Sequence, residues 1–180
     1  MACAIGSACY HRKDDNMIYL FLDVDGVLNN DETKERCMGF LGIDPEKVKL
    51  LRHIIDITGA QIVLTSTWKY GWEPVNKQFN DEWANYLDQA LAAEGLKAIA
   101  KTEDQGENRG EGIVDWLLEH PAKAWVVLDD MFFKDFRITG VEEHLVLTAS
   151  DDDWDGLTPE RAEQAINMFQ EQGVKLCQAN

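Results

Sequence analysis

Short apolar segments that alternate with helix-like segments are the feature that most constrains what this chain can fold into. The apolar segments are residues 17–22, 61–65, 97–100, 124–128 and 144–148, of which the third is the least apolar. Strands that are covered on both faces have this nearly continuous apolar character. Helices between such strands supply the long connections that parallel strands require. The pattern therefore predicts an α/β fold with a parallel sheet of about five strands and helices on both faces.

Start and stop signals predict four helices. Asp44 and Pro45 form an N-cap followed by proline at the first helical position, and Gly59 ends that helix. The other three are predicted over residues 81–95, from residue 109 onwards and over residues 158–173. The apolar stripe of each helix predicts the side chains that face the core. These are Val48, Leu51, Ile55, Trp83, Leu87, Leu91, Ile113, Trp116, Leu117, Ala162, Ala165, Ile166 and Phe169.

The size and charge of the chain bound its organisation and its partners. A length of 180 residues is enough for one domain with its own core. We expect a single domain over residues 17–180, preceded by an irregular leader over residues 1–16. The formal net charge of −16 disfavours binding to phosphate backbones, so no extended nucleic-acid groove is expected.

Neither the apolar segments nor the cysteines indicate a membrane or an oxidising compartment. The longest apolar run, residues 17–22, is too short to span a bilayer. Charged residues ahead of it interrupt any apolar region of the signal-peptide type. The four cysteines have neither metal-ligand spacing nor a disulfide-dense pattern, so reduced thiols are expected. We therefore expect a cytoplasmic protein that does not contact a membrane.

Two carboxylates directly follow the first predicted strand. Asp23 and Asp25 stand two residues apart, and Gly26 lets the chain bend at once so that both can face one site. Such a pair can divide the work of a nucleophile and a general acid/base, which protonates a leaving oxygen and then activates water. A calcium-type loop or a solvated turn is the alternative. However, a buried strand precedes the pair, and the further oxygen ligands of a calcium loop do not follow it.

A second acidic pair, Asp129 and Asp130, follows the fourth predicted strand. Ligands bind at the carboxyl ends of the strands in an open parallel sheet, so this pair is expected beside Asp23. Carboxylates that are crowded together repel each other unless a cation lies among them. Magnesium prefers oxygen ligands and usually keeps several waters and a substrate phosphate oxygen. An acidic helix N-terminus is the alternative explanation, but together with the first pair these residues predict a magnesium site.

Phosphate ligands are expected at the end of the second predicted strand and among nearby cations. Thr65 and Ser66 offer hydroxyls and backbone amides there, although a helix cap has the same composition. The candidate cations are Arg109 and Lys69. An arginine whose guanidinium points inward would bind a phosphate through two hydrogen bonds, whereas an exposed arginine on a solvated face would not.

These residues, in this order, resemble the haloacid dehalogenase-like (HAD) superfamily of phosphohydrolases. Its first motif is matched by residues 21–29, its second by residues 62–66 and its fourth by residues 126–130. More narrowly, the chain resembles the HAD domain of Swiss Army Knife RNA repair proteins. The segments that carry this closer resemblance are residues 23–29, 66–69, 109–117, 128–130 and 156–158. The resemblance implies a three-layer Rossmann-like (HAD-like) fold in which the first strand is central.

The same resemblance implies a magnesium-dependent phosphomonoester hydrolase. Asp23 would attack phosphorus and become an aspartyl phosphate, and Asp25 would act as general acid and then as base. Magnesium would be held by Asp23, the backbone carbonyl of Asp25 and the Asp129–Asp130 pair, with Asp130 as the preferred direct ligand.

The resemblance also assigns the phosphate ligands. Thr65 or Ser66 would bind the transferring phosphoryl group. The third motif of the superfamily is usually a lysine, and Arg109 occupies its expected position in this chain. Lys101 or Lys69 could supply the cation instead, and the sequence leaves the three open.

Short connections predict a minimal cap domain or none. Only about a dozen residues separate Asn29 from the helix that begins near Asp44, which is enough for a flap. The site is therefore expected to be open, with residues 37–43 and 70–79 as its rims.

An open site suits a phosphorylated small molecule, a nucleotide or a nucleic-acid end. Trp68, Tyr70 and Trp72 could stack on a base or a sugar, although large apolar side chains are more often buried in the core. The same motifs are also compatible with two other functions. A phosphotransferase or mutase would pass the phosphoryl group to an acceptor other than water, and a catalytically silent module would only bind phosphate.

Overall fold

The computed structural model describes residues 16–104, 107–149 and 154–177. The expected leader therefore lies outside the described residues, except for Asn16. The strands in chain order are β1 (Ile18–Leu22), β2 (Arg36–Cys37), β3 (Phe40–Leu41), β4 (Gln61–Leu64), β5 (Ala98–Lys101), β6 (Ala124–Asp129) and β7 (Leu145–Leu147). All five predicted strands are confirmed within a residue or two of their predicted ends.

A parallel five-stranded sheet with the order β5-β4-β1-β6-β7 forms the centre of the fold. β1 is the central strand, as the resemblance implied, and it pairs with β4 on one side and with β6 on the other. A topology that returns to both sides of its first strand creates a crevice at the carboxyl ends of the central strands. The site is therefore expected at the ends of β1, β4 and β6.

The helices confirm the predicted start and stop signals. They are α1 (Pro45–Thr58), α2 (Glu82–Ala93), α3 (Arg109–Glu119), the short α4 (Phe136–Thr139) and α5 (Pro159–Glu171). The side chain of Asp44 accepts a hydrogen bond from the amide of Glu46, and Gly59 ends α1 in the left-handed conformation at φ 71°. Thr158 caps α5 through the amide of Arg161.

Two hydrophobic cores, one on each face of the sheet, establish three layers. The larger core packs the even-numbered side chains of β1, Leu20 and Leu22, against α1, α2 and α5. The smaller core packs Tyr19 and Phe21 against α3 and α4. Because successive strand residues point to opposite faces, β1 is buried on both. This architecture confirms the predicted α/β Rossmann-like fold with helices on both faces.

Most, but not all, of the predicted core positions are buried. Leu87, Leu91, Ile113 and the four α5 positions lie inside, whereas Trp83, Trp116, Leu117 and Ile55 are only half-buried. No helix among the described residues is both long enough and apolar enough to cross a membrane.

The connection between β1 and α1 contains a small hairpin that the sequence did not predict. β2 and β3 pair antiparallel over two residues each, too few for an alternating pattern to be visible. Met38 and Gly39 form its two-residue turn with φ values of 51° and 89°, as a tight hairpin turn with two left-handed residues requires. The hairpin occupies the predicted flap position, so the expected minimal cap is confirmed.

Candidate active site at the carboxyl ends of the central strands

The register of the sheet brings three predicted site residues to one edge. Leu22 of β1 pairs with Leu128 of β6. The amide of Asp23 donates to the carbonyl of Leu128 at 2.9 Å, and the amide of Thr65 donates to the carbonyl of Leu22 at 2.9 Å. Because the three strands end level, Asp23, Thr65 and Asp129 leave the sheet side by side.

A buried cluster of carboxylates lies at this edge. Oxygen atoms of Asp23, Asp129 and Asp130 all lie within 4.8 Å of one another. Asp23 and Asp129 are buried, at 4% and 0% exposure, while Asp130 is half-buried. Gly26 makes the cluster possible in two ways. Its φ of 66° favours glycine, and a Cβ atom at this position would lie 2.4 Å from Oδ2 of Asp130.

Burial and mutual repulsion work against ionisation of all three carboxyls. Burial raises the pKa of Asp23 well above its usual range, and the charge of Asp129 raises it further. Burial likewise raises the pKa of Asp129, although Arg109 partly offsets this effect. Burial and the neighbouring Asp129 raise the pKa of Asp130 to about 6. A site that crowds buried carboxylates in this way favours the binding of a cation.

Arg109 is the cation that directly contacts the cluster. Its Nη1 donates to Oδ1 of Asp23 at 2.8 Å and to Oδ2 of Asp129 at 2.5 Å. Burial opposes the charge of the guanidinium, but the two carboxylates more than compensate and raise the pKa of Arg109. The ring of Phe133, whose centre is 4.5 Å from the guanidinium carbon, covers it. One guanidinium can balance the charge of only one of the three carboxyls when they are ionised.

The oxygen atoms that remain available indicate which carboxylates could hold a divalent cation. Oδ1 of Asp129 accepts from the amide of Met131 at 2.9 Å, and Oδ2 accepts from Arg109. Among the described residues, no side chain donates a hydrogen bond to Asp130. An all-carboxylate set with one half-exposed member suits magnesium, which keeps part of its water shell. The donor set therefore fits the implied metal.

Asp25 lies apart from the carboxylate cluster and is held by two donors. Nε1 of Trp68 donates to its Oδ2 at 2.8 Å, and Nδ2 of Asn29 donates to its Oδ1 at 2.9 Å. Asn29 is itself buried, and its Oδ1 accepts from the amide of Gly26 at 2.9 Å. The carboxylate of Asp25 is exposed, so it faces the open side of the site in a defined orientation.

Thr65 and Ser66 differ in what their hydroxyls do. Oγ of Ser66 accepts from the amide of Trp68 at 3.4 Å and caps the short 3-10 helix Thr67–Gly71. The hydroxyl of Thr65 is buried and has no hydrogen-bond partner among the described residues. A buried polar group without a partner is costly, so the Thr65 hydroxyl is available for a ligand oxygen.

The structure does not bring either candidate lysine to the carboxylate cluster. Nζ of Lys69 is buried and lies 2.5 Å from Oδ1 of Asp104 and 3.0 Å from the hydroxyl of Thr102. Burial lowers the pKa of Lys69 although Asp104 opposes this effect. Lys101 donates to the carbonyls of Lys69 and Trp72 at 3.2 and 2.7 Å. Both lysines therefore stabilise the 3-10 helix that carries Trp68.

A cavity of about 460 Å³ opens beside Asp25. Its aromatic lining comes from Phe40 of the hairpin, Trp68 and Tyr70 of the 3-10 helix, and Trp83 of α2. Both segments that were expected to form the rims of the site contribute to this lining. The three aromatic residues that the sequence grouped as possible stacking partners, Trp68, Tyr70 and Trp72, therefore have different environments. Trp72 is fully buried in the core, whereas Tyr70 is 54% exposed.

The roles of two residues of the site, Trp68 and Asn29, are not predicted by the sequence. The sequence predicts Trp68 only as a stacking or core residue, and Asn29 only as part of a motif. The hydrogen bond from Trp68 to Asp25 joins residues 43 positions apart, which no local pattern reveals. The role of Asn29 could have been predicted, because the amide of a residue four positions after an acidic residue in a tight loop can donate back to that residue.

Comparison with known proteins agrees with the fold. A search of curated proteins found no match. The family model for the HAD domain in Swiss Army Knife RNA repair proteins matches residues 19–162. The matched region begins in β1 and ends in α5, so it includes the whole carboxylate cluster, Arg109 and the hairpin. The chain therefore belongs to the family of HAD domains found in Swiss Army Knife RNA repair proteins, a family of the HAD phosphohydrolase type.

Proposed function

We propose that the protein is a magnesium-dependent phosphomonoester hydrolase that forms an aspartyl phosphate on Asp23. Its substrate would be a phosphorylated small molecule, a nucleotide or a nucleic-acid end. The observation that carries the proposal is the hydrogen bond between Arg109 and Asp23 inside a cluster of buried carboxylates. A guanidinium that orients one carboxylate while a second carboxylate, that of Asp25, lies exposed and separately held at the open side suits a nucleophile with a separate acid/base.

In the first step, an oxygen of Asp23 would form a bond to phosphorus as the bond between phosphorus and the leaving oxygen breaks. Asp25 would give its proton to that leaving oxygen, which departs as an alcohol. Arg109 would hold the carboxylate of Asp23 in position, and the unpartnered hydroxyl of Thr65 would donate to an oxygen of the phosphoryl group. Ser66 would contribute as the cap of the 3-10 helix that holds Trp68.

In the second step, Asp25 would take a proton from a water molecule, whose oxygen bonds to phosphorus. The bond between phosphorus and Asp23 breaks, which returns the free carboxylate and releases inorganic phosphate. Trp68 and Asn29 hold both oxygens of Asp25, so the same group would be correctly oriented in both steps.

Asp23, the backbone carbonyl of Asp25 and Asp130 would hold the magnesium ion, and Asp129 would support them while bound to Arg109 and the amide of Met131. The bound ion would neutralise negative charge on the phosphoryl oxygens. The proposal therefore assigns Asp130 as the direct ligand of the acidic pair.

Phosphate release from a panel of phosphorylated sugars, nucleotides and end-phosphorylated oligonucleotides tests this function, with and without magnesium. We expect release of inorganic phosphate that requires magnesium and that is lost in Asp23→Asn. Transfer of the phosphoryl group to an added alcohol, without inorganic phosphate, would indicate a phosphotransferase instead. Equal activity in wild type and Asp23→Asn would refute the assignment of the nucleophile.

A further inference from the structure

The aromatic cavity beside Asp25 has no role in the two chemical steps. It has a volume of about 460 Å³, within the range of about 300–1,000 Å³ that is typical of small-molecule sites. Its lining residues include Asp25, Thr67, Phe40, Trp68 and Trp83. The cavity therefore shares Asp25 with the proposed site of chemistry.

The position of Asp25 determines which part of a substrate would enter this cavity. A group that protonates the leaving oxygen must lie within hydrogen-bond reach of it. The remainder of the leaving group is attached to that same oxygen. Since Asp25 lines the cavity, the leaving group would lie between the hairpin and the 3-10 helix.

The side chains around the cavity favour a flat and aromatic occupant. Phe40 and Tyr70 are 68% and 54% exposed, although large aromatic side chains are normally covered. Trp83 lies at the cavity wall, where its ring meets Trp68 edge-on with 4.9 Å between centres and meets Phe40 at 5.6 Å. Exposed rings from two separate segments on one cavity provide stacking surfaces for a planar ring.

The charged groups at the cavity disfavour a second phosphate or carboxylate there. Among the described residues that line it, the only charged side chains are those of Asp25 and Asp81, and both are acidic. Asp81 lies against Gly71, where a Cβ atom would be 1.9 Å from its Oδ2. A carboxylate accepts hydrogen bonds but repels anions, so this lining favours a ring that carries N–H groups over an anionic group.

We propose that this cavity binds the nucleobase of a nucleoside phosphate, with Phe40 and Tyr70 as the residues that select it. The inference rests on the proposed function, because it uses Asp25 as the group that meets the leaving oxygen. The base would stack on the exposed rings, and its N–H groups would face the carboxylate of Asp81. A free nucleotide and the terminal nucleotide of a chain share this chemistry.

The test compares the kcat/KM for adenosine 5′- and 3′-monophosphate with that for ribose 5-phosphate, which has no base. We expect the preferred nucleotide to exceed the sugar phosphate in the wild type. In Phe40→Ala and Tyr70→Ala this preference should fall by about tenfold, in line with the usual loss when a base loses its stacking partner. Phe79→Ala is the matched control, because Phe79 is also 68% exposed but does not line the cavity; it should keep the preference.

Binding supplies a second readout that does not depend on turnover. Calorimetry of Asp23→Asn with the same nucleotide and with ribose 5-phosphate should show tighter binding of the nucleotide, and Phe40→Ala in that background should remove the difference. An unchanged preference in both Phe40→Ala and Tyr70→Ala, or equal binding of nucleotide and sugar phosphate, would overturn the inference. Absence of phosphate release together with intact nucleotide binding would instead refute only the proposed function.

An end-phosphorylated oligonucleotide separates the two sources of the ligand. If it reacts as well as the free nucleotide and shows the same loss in Tyr70→Ala, the cavity accepts the terminal nucleotide of a chain. If only the free nucleotide reacts, the cavity binds mononucleotides. Either result supports a nucleobase site, whereas an oligonucleotide reaction that is insensitive to both aromatic substitutions contradicts it.

Discussion

Nη1 of Arg109 donates a hydrogen bond of 2.8 Å to Oδ1 of Asp23 and thereby joins the first turn of α3 to the end of β1. The same nitrogen contacts Asp129, so Arg109 orients the proposed nucleophile against a neighbouring carboxylate. Among the described residues, no other cationic side chain forms an ion pair with Asp23 or Asp129.

Replacement of Arg109 should therefore reduce activity strongly. We expect Arg109→Ala to lower kcat/KM by about 10²–10³, the usual loss when one charge-stabilising donor is removed from an active site. Arg109→Lys should retain part of the activity, because it keeps the positive charge but carries it on a shorter, non-planar side chain. Arg137→Ala is the control, since Arg137 is exposed and, among the described residues, forms an ion pair only with Glu142. Wild-type activity in Arg109→Ala would contradict this role.

Trp68 should affect the rate through its hydrogen bond to Asp25. Trp68→Phe keeps an aromatic ring but removes the N–H, and a hydrogen bond to a charged group contributes about 1.5–3 kcal/mol. We expect kcat to fall by roughly tenfold to a hundredfold. Trp72→Phe is a matched control, because Nε1 of Trp72 donates to Asp88 at the same distance of 2.8 Å outside the site. It should lower the melting temperature but not kcat.

An equal loss of kcat in the Trp68 and Trp72 variants would show that the effect comes from the whole segment of residues 67–72, which contains both. The result that supports a positioning role is a loss of kcat confined to Trp68→Phe, with similar melting temperatures for the two proteins.

Removal of the Thr65 hydroxyl should lower activity without lowering stability. Its hydroxyl is buried without a partner among the described residues, and such a group costs about 1–3 kcal/mol. Thr65→Val should therefore be as stable as the wild type or more stable in urea unfolding, yet release phosphate more slowly by about tenfold or more. Thr65→Ser, which keeps the hydroxyl, should retain more activity. A destabilised Thr65→Val protein with unchanged activity would indicate a purely structural hydroxyl.

Magnesium should stabilise the folded chain, because the ion binds carboxylates that are brought together only by folding. We expect magnesium to raise the melting temperature of the wild type, and to do so much less in Asp130→Asn. Potassium at equal ionic strength is the control for screening. An equal shift in Asp130→Asn would remove Asp130 as the direct ligand.

The pH dependence of stability in EDTA provides a check on the same carboxyl. The pKa of Asp130 is raised to about 6 in the fold, so the folded state holds its proton more tightly than the unfolded state does. The stability that this proton contributes is complete below about pH 4 and is lost as the pH rises through about 6. Asp130→Asn should therefore show a flatter decline in unfolding free energy across this window.

The fold was predictable because its signals are local. Continuous apolar strands, the Asp44 cap and the Gly59 stop each occupy a few neighbouring residues, and they predicted the sheet and the four long helices. The hairpin was not predictable, because two-residue strands carry no period and the left-handed Met38 has no strong sequence signal.

The candidate site was predictable as a set of residues but not as a set of contacts. Parallel strands end at one edge, so Asp23, Thr65 and the Asp129–Asp130 pair were expected together. The sequence left three cations open because Lys69 and Lys101 lie nearer in sequence to strand ends than Arg109 does, and their side-chain directions are not visible in the sequence. Only the packing of the 3-10 helix shows that both lysines serve that helix.

The most direct test of the central claim is identification of the phosphorylated residue. Asp25→Asn should be mixed with magnesium and an aryl phosphate, whose leaving group needs no proton. It should then be quenched in acid, and the acyl phosphate should be reduced with borohydride. We predict that peptide mass spectrometry finds homoserine at position 23, because the first step proceeds and the water-activating base is absent. Product formation without homoserine at position 23, or with the modification on another carboxylate, would contradict Asp23 as the nucleophile.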